Sequence, residues 1–128
     1  MKLYRAIVRG VPNVKRPVVQ APIGRNPGHR KVIVTPFGKL AETSFLIVEA
    51  SAMAALVEAK PLTGRTHQIR AHLGYLGNPV AGDVEFDKKV EGVLWPPRML
   101  LHAYRIELAH PRTGKKVSFK APLPKDFK

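Results

Sequence analysis

Alternating apolar and polar residues along the chain predict a series of β-strands. The clearest alternation covers residues 99–110, where successive side chains fall on opposite faces. Residues 51–60 contain residue types that favour a helix, but their short distance from the preceding strand and the following Pro61 favour another strand. The same patterning predicts further strands over residues 3–9, 31–35, 41–50 and 116–121, with a short extended piece at residues 18–19.

Turn residues indicate how these strands connect. Residues 36–39 form a turn, so we expect residues 31–35 and 41–50 to pair as a hairpin. Prolines recur between residues 10 and 30, which disfavours regular structure there and leaves residues 23–31 as a basic loop. The strand over residues 3–9 has no element before it, so we expect it to be exposed, with part of the sheet missing upstream.

One helix is predicted after Pro61, and it defines the fold class. Thr63 or Thr66 can cap its first N–H groups, and Gly77 ends it. Its apolar stripe consists of Ile69, Leu73 and Leu76. The predicted fold is therefore α+β, a mostly antiparallel sheet with one central helix and basic loops.

The start of this helix is a candidate anion site. Free N–H groups and the helix dipole favour anions at a helix N-terminus. The predicted docking of the apolar stripe leaves two arginines and two histidines available there: Arg65, Arg70, His67 and His72. The alternative is a capped, solvated helix with ordinary surface arginines.

The net charge of the chain gives the strongest indication of its binding partner. The 128 residues, which we treat as a single domain over residues 1–128, have a formal net charge of +13. Residues 1–40 contain nine lysines and arginines without an acid, whereas residues 41–110 are nearly neutral. This distribution predicts a polyanionic partner, most simply RNA. The chain has no cysteine and no apolar run of membrane-spanning length, which is compatible with a cytoplasmic protein and no membrane partner.

The candidate chemistry in the sequence is limited. His67 and His72 are too far apart around a helix for a metal site, and the remaining histidines are scattered, so we predict no metal. Asp83 follows Gly82 in a turn, where a carboxylate usually accepts hydrogen bonds from nearby backbone N–H groups. We therefore do not expect Asp83 to be catalytic.

Nearly the whole chain resembles the C-terminal half of the RluA-type pseudouridine synthases, which isomerise uridine to pseudouridine in rRNA or tRNA. Each matching motif is weak alone, but their order along the chain is highly specific. The motifs are Lys2-Leu3-Tyr4-Arg5-Ala6, residues 23–31, residues 35–39, residues 60–73, Gly82-Asp83, Leu100-Leu101-His102-Ala103, His110-Pro111 and Phe119-Lys120-Ala121-Pro122.

The sequence departs from this family at one important point. The family signature is His-Arg-Leu-Asp, with an essential aspartate, and Arg-Leu-Asp occurs nowhere in these 128 residues. In the family this motif lies upstream of the tyrosine motif. We therefore expect a partial catalytic domain that is inactive alone.

The resemblance also implies roles for individual residues. Tyr4 would stack on a uridine flipped out of its RNA, and Arg70 would pair with the missing catalytic aspartate, so that Arg70 has lost its partner here. No cofactor is implied. From their charge and position, we further expect phosphate contacts from Arg25, Arg30, Lys31 and Arg65.

Two other functions stay open on the sequence alone. The chain could be a non-catalytic RNA-binding module derived from this fold, or one half of a split enzyme whose partner is the missing N-terminal half. The sequence does not distinguish them.

Overall fold

The computed structural model describes residues 1–25, 32–83, 86 and 98–124. Within these residues, one helix and six strands of a single antiparallel sheet account for most of the fold, and a two-stranded sheet is added to them. The elements are β1 (Lys2–Arg9), β2 (Val18–Gln20), β3 (Ile23–Arg25), β4 (Val32–Val34), β5 (Glu42–Ala50), β6 (Ala54–Pro61), α1 (Gln68–Tyr75), β7 (Leu101–Ala109) and β8 (Lys116–Lys120). The predicted α+β class is confirmed. In the part of the chain so described, α1 is too short to cross a membrane.

The first strand lies in the middle of the large sheet, whose order is β2-β5-β6-β1-β7-β8. On one side Tyr4 is opposite Ala59 of β6, and on the other it is opposite Ala103 of β7. The expectation that this strand is exposed is therefore wrong. Strands that come much later in the chain pair with both of its edges, which a strand-by-strand interpretation of the sequence does not reveal.

The helix α1 packs on one face of the sheet and closes the main core. Ile69 and Leu73 of α1 join Ala6 and Val8 of β1 and Phe45 of β5 in one buried cluster. Burial of each of the larger side chains in this group, all except that of Ala6, stabilises the fold by roughly 1.5–3 kcal/mol.

The predicted hairpin between residues 31–35 and 41–50 is wrong, because β4 pairs with β3 instead. The turn after β4 folds back onto β3, where Ile23 and Lys39 exchange two backbone hydrogen bonds of 2.9 Å. A Cβ atom at Gly38 would lie 2.4 Å from the carbonyl carbon of Ile23, so this approach requires glycine. β5 then pairs with β2 and β6.

The ambiguous segment over residues 51–60 is a strand, as predicted. β6 is hydrogen-bonded to β5 on one side and to β1 on the other. Its buried residues Ala55, Val57 and Ala59 alternate with more exposed ones and face the main core. Pairing with two neighbouring strands thus outweighs the helix propensity of the residues in β6.

Candidate functional site

The segment entering α1 is organised by a glutamine side chain and has no threonine cap. The N-cap residue is His67, whose φ of 52° lies in the left-handed region, and its side chain makes no capping hydrogen bond. Gln68 Oε1 accepts hydrogen bonds from Thr63 Oγ1 at 2.6 Å and from the Arg65 N–H at 3.0 Å. The predicted caps Thr63 and Thr66 are therefore wrong. The Gln68 side chain accepts the hydrogen bonds of this turn in their place.

One of the two histidines expected to be available is instead fully buried. His72 Nε2 lies 2.9 Å from the Ala21 carbonyl oxygen, and Nδ1 lies 2.8 Å from Thr43 Oγ1. A carbonyl only accepts, so Nε2 holds the proton. Gln68 Nε2 donates to Thr43 Oγ1 at 2.9 Å. In a neutral ring with its proton on Nε2, Nδ1 accepts from the Thr43 hydroxyl.

Burial favours the neutral form of His72. Desolvation lowers its pKa from the usual 6.5, and the hydrogen bond to the Ala21 carbonyl offsets part of that effect. His72 is a structural link between α1, β5 and the segment after β2, and it has no access to a ligand. His67, by contrast, is exposed at the start of the helix.

Arg70 forms a bidentate ion pair with Asp83. Arg70 Nε lies 2.8 Å from Asp83 Oδ2, and Nη2 lies 2.9 Å from Oδ1. The Asp83 side chain is fully buried, and that of Arg70 is 16% exposed. Arg70 therefore has a carboxylate partner within the chain, while its inferred pairing with a catalytic aspartate stays a prediction. The planar guanidinium matches the carboxylate geometry, so both groups have a fixed orientation.

A tight turn places Asp83 opposite the helix. Gly82 has a φ of 85°, and a Cβ atom there would lie 2.2 Å from the Arg98 carbonyl oxygen. Asp83 Oδ1 also accepts a weak hydrogen bond, at 3.4 Å, from the Phe86 N–H. This contact agrees with the turn role expected from the sequence. The pairing with Arg70 could not be read from the pattern because it depends on where the turn meets α1.

Tyr4 lies on β1, on the face of the sheet covered by α1. It is half-buried and packs against the main core cluster, to which Ile69, the neighbour of Arg70, also belongs. Tyr4 also lines an open cavity of about 410 Å³ together with Ala103, Phe119 and Ala121. The helix that carries Arg70 packs on the same face of the sheet, but Arg70 is not among the residues that line the cavity beside Tyr4.

Two of the four predicted phosphate-binding residues meet in one groove. Arg25 and Arg65 line a groove of about 430 Å³, which we call the basic groove. Arg65 Nε donates a 2.8 Å hydrogen bond to the Leu40 carbonyl, which fixes the direction of its side chain. The other two, Arg30 and Lys31, lie outside the described residues.

Sequence reasoning missed two residues of the basic groove, Lys39 and Phe37. Both follow the turn signal at Pro36, but only the folding of that turn onto β3 brings them beside Arg25. Among the described residues, no three His, Cys, Asp or Glu side chains gather to hold a metal ion. The expectation that the protein needs neither metal nor cofactor stays a prediction.

The model of a known protein family, described as RNA pseudouridylate synthase, matches residues 1–75. This match covers more than half of the chain. It includes β1 with Tyr4, the residues of the basic groove, and α1 with Arg70.

Individual relatives are consistent with this match. Ribosomal large subunit pseudouridine synthase C of Pasteurella multocida (strain Pm70) is 43% identical over 99% of this chain and 41% of its own length. Ribosomal large subunit pseudouridine synthase D of Nitrosomonas europaea (strain ATCC 19718 / CIP 103999 / KCTC 2705 / NBRC 14298) is 40% identical over 97% of this chain and 38% of its own. This chain therefore spans about two-fifths of the length of these curated relatives.

A solved structure extends the similarity to the fold. Human RNA pseudouridylate synthase domain containing 1 superposes with a TM-score of 0.81 at 31% identity, over 94% of this chain and 54% of that chain. The family match, the relatives and the fold lead to one assignment. This chain belongs to the RNA pseudouridylate synthase family, as its resemblance to the RluA-type enzymes predicted.

Proposed function

We propose that this chain is the C-terminal part of a pseudouridine synthase catalytic domain, which isomerises uridine to pseudouridine in rRNA or tRNA. Such an enzyme would work in the cytoplasm. The observation that supports the proposal most strongly is the family match over residues 1–75, which includes both Tyr4 and Arg70. In this proposal residues 1–128 form one domain with an RNA-binding surface.

Tyr4 and Arg70 perform separate tasks in the proposed reaction. The target uridine leaves its stack at a cost of roughly a few kcal/mol, and the Tyr4 ring stacks on the flipped base. Arg70 orients the catalytic carboxylate and favours its ionised form, which starts cleavage of the bond between base and sugar. Because Asp83 holds the guanidinium through two hydrogen bonds, Asp83 acts as a positioning residue for Arg70.

In this proposal the catalytic carboxylate comes from outside these 128 residues. Asp83 is fully buried and paired, so it cannot reach a substrate. The sequence contains no His-Arg-Leu-Asp segment. We therefore propose that this segment, from a longer protein or from a separate N-terminal half, completes the site and that the chain alone is inactive.

Binding without catalysis is the second candidate function. It is favoured by the Arg70–Asp83 pair, because Arg70 is already satisfied without a catalytic aspartate. In this case the basic groove would bind RNA, and Tyr4 and Arg70 would have structural roles only.

Tritium release from RNA labelled at carbon 5 of uridine distinguishes these functions. The chain alone should release no tritium, and addition of a polypeptide containing the His-Arg-Leu-Asp segment should start release from rRNA. Tyr4→Ala and Arg70→Lys should then abolish it. Release by the chain alone would contradict the proposed need for an outside carboxylate. Salt-sensitive RNA binding without release in any mixture would favour the binding module.

A further inference from the structure

Phe37 is an exposed aromatic residue at the edge of the basic groove. Its side chain is 94% exposed, although it lies in a sequence rich enough in apolar residues to build a core. A single exposed apolar side chain needs no special explanation. Phe37 differs because it lines the same groove as three cationic side chains: Arg25, Lys39 and Arg65.

The backbone beneath Phe37 is firmly held. The Gly38 N–H donates to the Thr35 carbonyl at 3.0 Å, which closes a turn with Phe37 at its third position. The Phe37 N–H donates to Thr35 Oγ1 at 3.3 Å. The two hydrogen bonds between Lys39 and Ile23 then fix this turn to β3. The backbone that carries the exposed ring is therefore already fixed, and little backbone conformational entropy is lost when the ring binds a partner.

Backbone forms part of the lining of the basic groove, because three of its residues are glycines: Gly24, Gly38 and Gly64. Gly24 and Gly38 pack against each other, since a Cβ atom at Gly24 would lie 2.9 Å from the Gly38 Cα atom, whereas Gly64 leaves open space. A Cβ atom added at Gly64 would meet nothing within 4 Å, so space remains beside the backbone. An exposed aromatic ring next to cations and an open backbone is the combination by which proteins bind single-stranded nucleic acid.

We propose that Phe37 stacks on an unpaired RNA base while Arg25, Lys39 and Arg65 contact the adjoining phosphates. This inference rests on the RNA binding proposed above and specifies a single-stranded segment as the ligand. The subsite is separate from the pocket for the target uridine, since Tyr4 is absent from the residues lining the basic groove. Charge complementarity favours RNA over an apolar protein segment, because three cationic residues line the same groove as the ring.

Stacking and phosphate contacts have different salt dependences, and this difference tests the proposal. Binding of a fluorescent single-stranded RNA of about ten nucleotides is measured by anisotropy at several salt concentrations. Phe37→Ala should weaken binding roughly 5- to 150-fold, since stacking one base is worth roughly 1–3 kcal/mol. It should leave the slope of log affinity against log salt unchanged. Arg65→Gln should reduce that slope by about 0.7, the value for one phosphate of a single strand.

Matched variants separate stacking from general effects. Phe37→Trp should retain binding, whereas Phe37→Leu, which keeps an apolar side chain but loses the flat ring, should weaken it nearly as much as Phe37→Ala. Two controls should change neither affinity nor slope. They are Tyr75→Ala, which removes an exposed aromatic ring at the other end of α1, and Arg112→Gln, which removes an exposed arginine before β8. A duplex RNA of the same length should be insensitive to Phe37.

The outcomes distinguish this inference from the proposed function. If Phe37→Ala binds RNA with wild-type affinity and slope while Arg65→Gln still lowers the slope, the stacking subsite is overturned and RNA binding is left intact. Full binding by Phe37→Leu, or equal weakening on duplex RNA, would also overturn it. Absence of any salt-dependent binding by the wild-type chain would overturn RNA binding itself, and the stacking subsite with it.

Discussion

At the residue scale, the pair of Arg70 and Asp83 combines a structural and a proposed functional role. A buried carboxylate is stable in its ionised form only when a partner neutralises it and satisfies its oxygens. Both oxygens of Asp83 accept from Arg70 at hydrogen-bonding distance. Loss of either partner leaves the other charge in a site closed to water.

We expect Asp83→Ala to lower the free energy of unfolding by about 3–5 kcal/mol, the usual effect of removing one member of a buried pair. Urea denaturation measures this change. Lys116→Ala is the control, because Lys116 pairs with Glu107 while its side chain is 75% exposed, and its loss should cost less than about 1 kcal/mol. Equal effects of the two substitutions would show that burial adds nothing to the Arg70–Asp83 contact.

His72 illustrates how a buried neutral group makes stability depend on pH. Its pKa is lowered from 6.5 by desolvation, so the unfolded chain takes up a proton at a pH where the folded chain does not. Protonation of Nδ1 would also remove the acceptor for the Thr43 hydroxyl. Stability due to His72 is therefore complete above pH 6.5 and is lost as the pH falls below that value.

Urea denaturation of wild type and His72→Gln between pH 7.5 and pH 5.5 tests this account, with both values chosen to bracket 6.5. Wild type should lose stability toward pH 5.5, and His72→Gln, although less stable at pH 7.5, should show a smaller loss. His67→Gln is the control, since His67 is exposed, and it should keep the wild-type pH dependence. An unchanged pH dependence in His72→Gln would refute the assignment to His72.

At the element scale, the sequence predicts conformation better than pairing. Alternation correctly indicated β1, β5, β7 and β8, because each has one face against a core or a neighbouring element, and β6 was predicted from its short spacing and the following Pro61. The pairing of β3 with β4 was missed, since it depends on the close backbone approach at Gly38. The pairing of Arg70 with Asp83 was missed for a similar reason, because it depends on how the turn at Asp83 packs against α1. By contrast, Tyr4 and Arg70 lie within motifs of known order, and the catalytic roles that this order implies stay predictions.

Gly38→Ala should disrupt the small sheet formed by β3 and β4. The new Cβ atom would lie 2.4 Å from the Ile23 carbonyl carbon, so the turn has to move away from β3. Such overpacking costs about 1–3 kcal/mol of the free energy of unfolding. Gly64→Ala is the matched control, because its Cβ atom meets nothing within 4 Å, and it should change stability by less than about 0.5 kcal/mol. Similar stability of the two variants in urea would contradict the close approach.

At the scale of the whole molecule, β1 connects two groups of strands. It hydrogen-bonds to β6, beyond which lie β5 and β2, and to β7, beyond which lies β8. Within the described residues, β1 therefore joins the β2-β5-β6 part of the large sheet to the β7-β8 part by hydrogen bonds. We expect the chain to unfold as one cooperative unit for this reason.

Val8→Ala tests this cooperativity, because Val8 is fully buried in the central strand. Loss of two buried carbon atoms and the resulting cavity should lower the free energy of unfolding by about 2 kcal/mol. Native-state hydrogen exchange should report the same loss at the slowest amides of β6 and of β7. Val18→Ala, at an exposed position of the edge strand β2, should leave both unchanged. A loss confined to either strand would mean that the two sides of β1 unfold independently, and residues 1–128 would then not behave as a single domain.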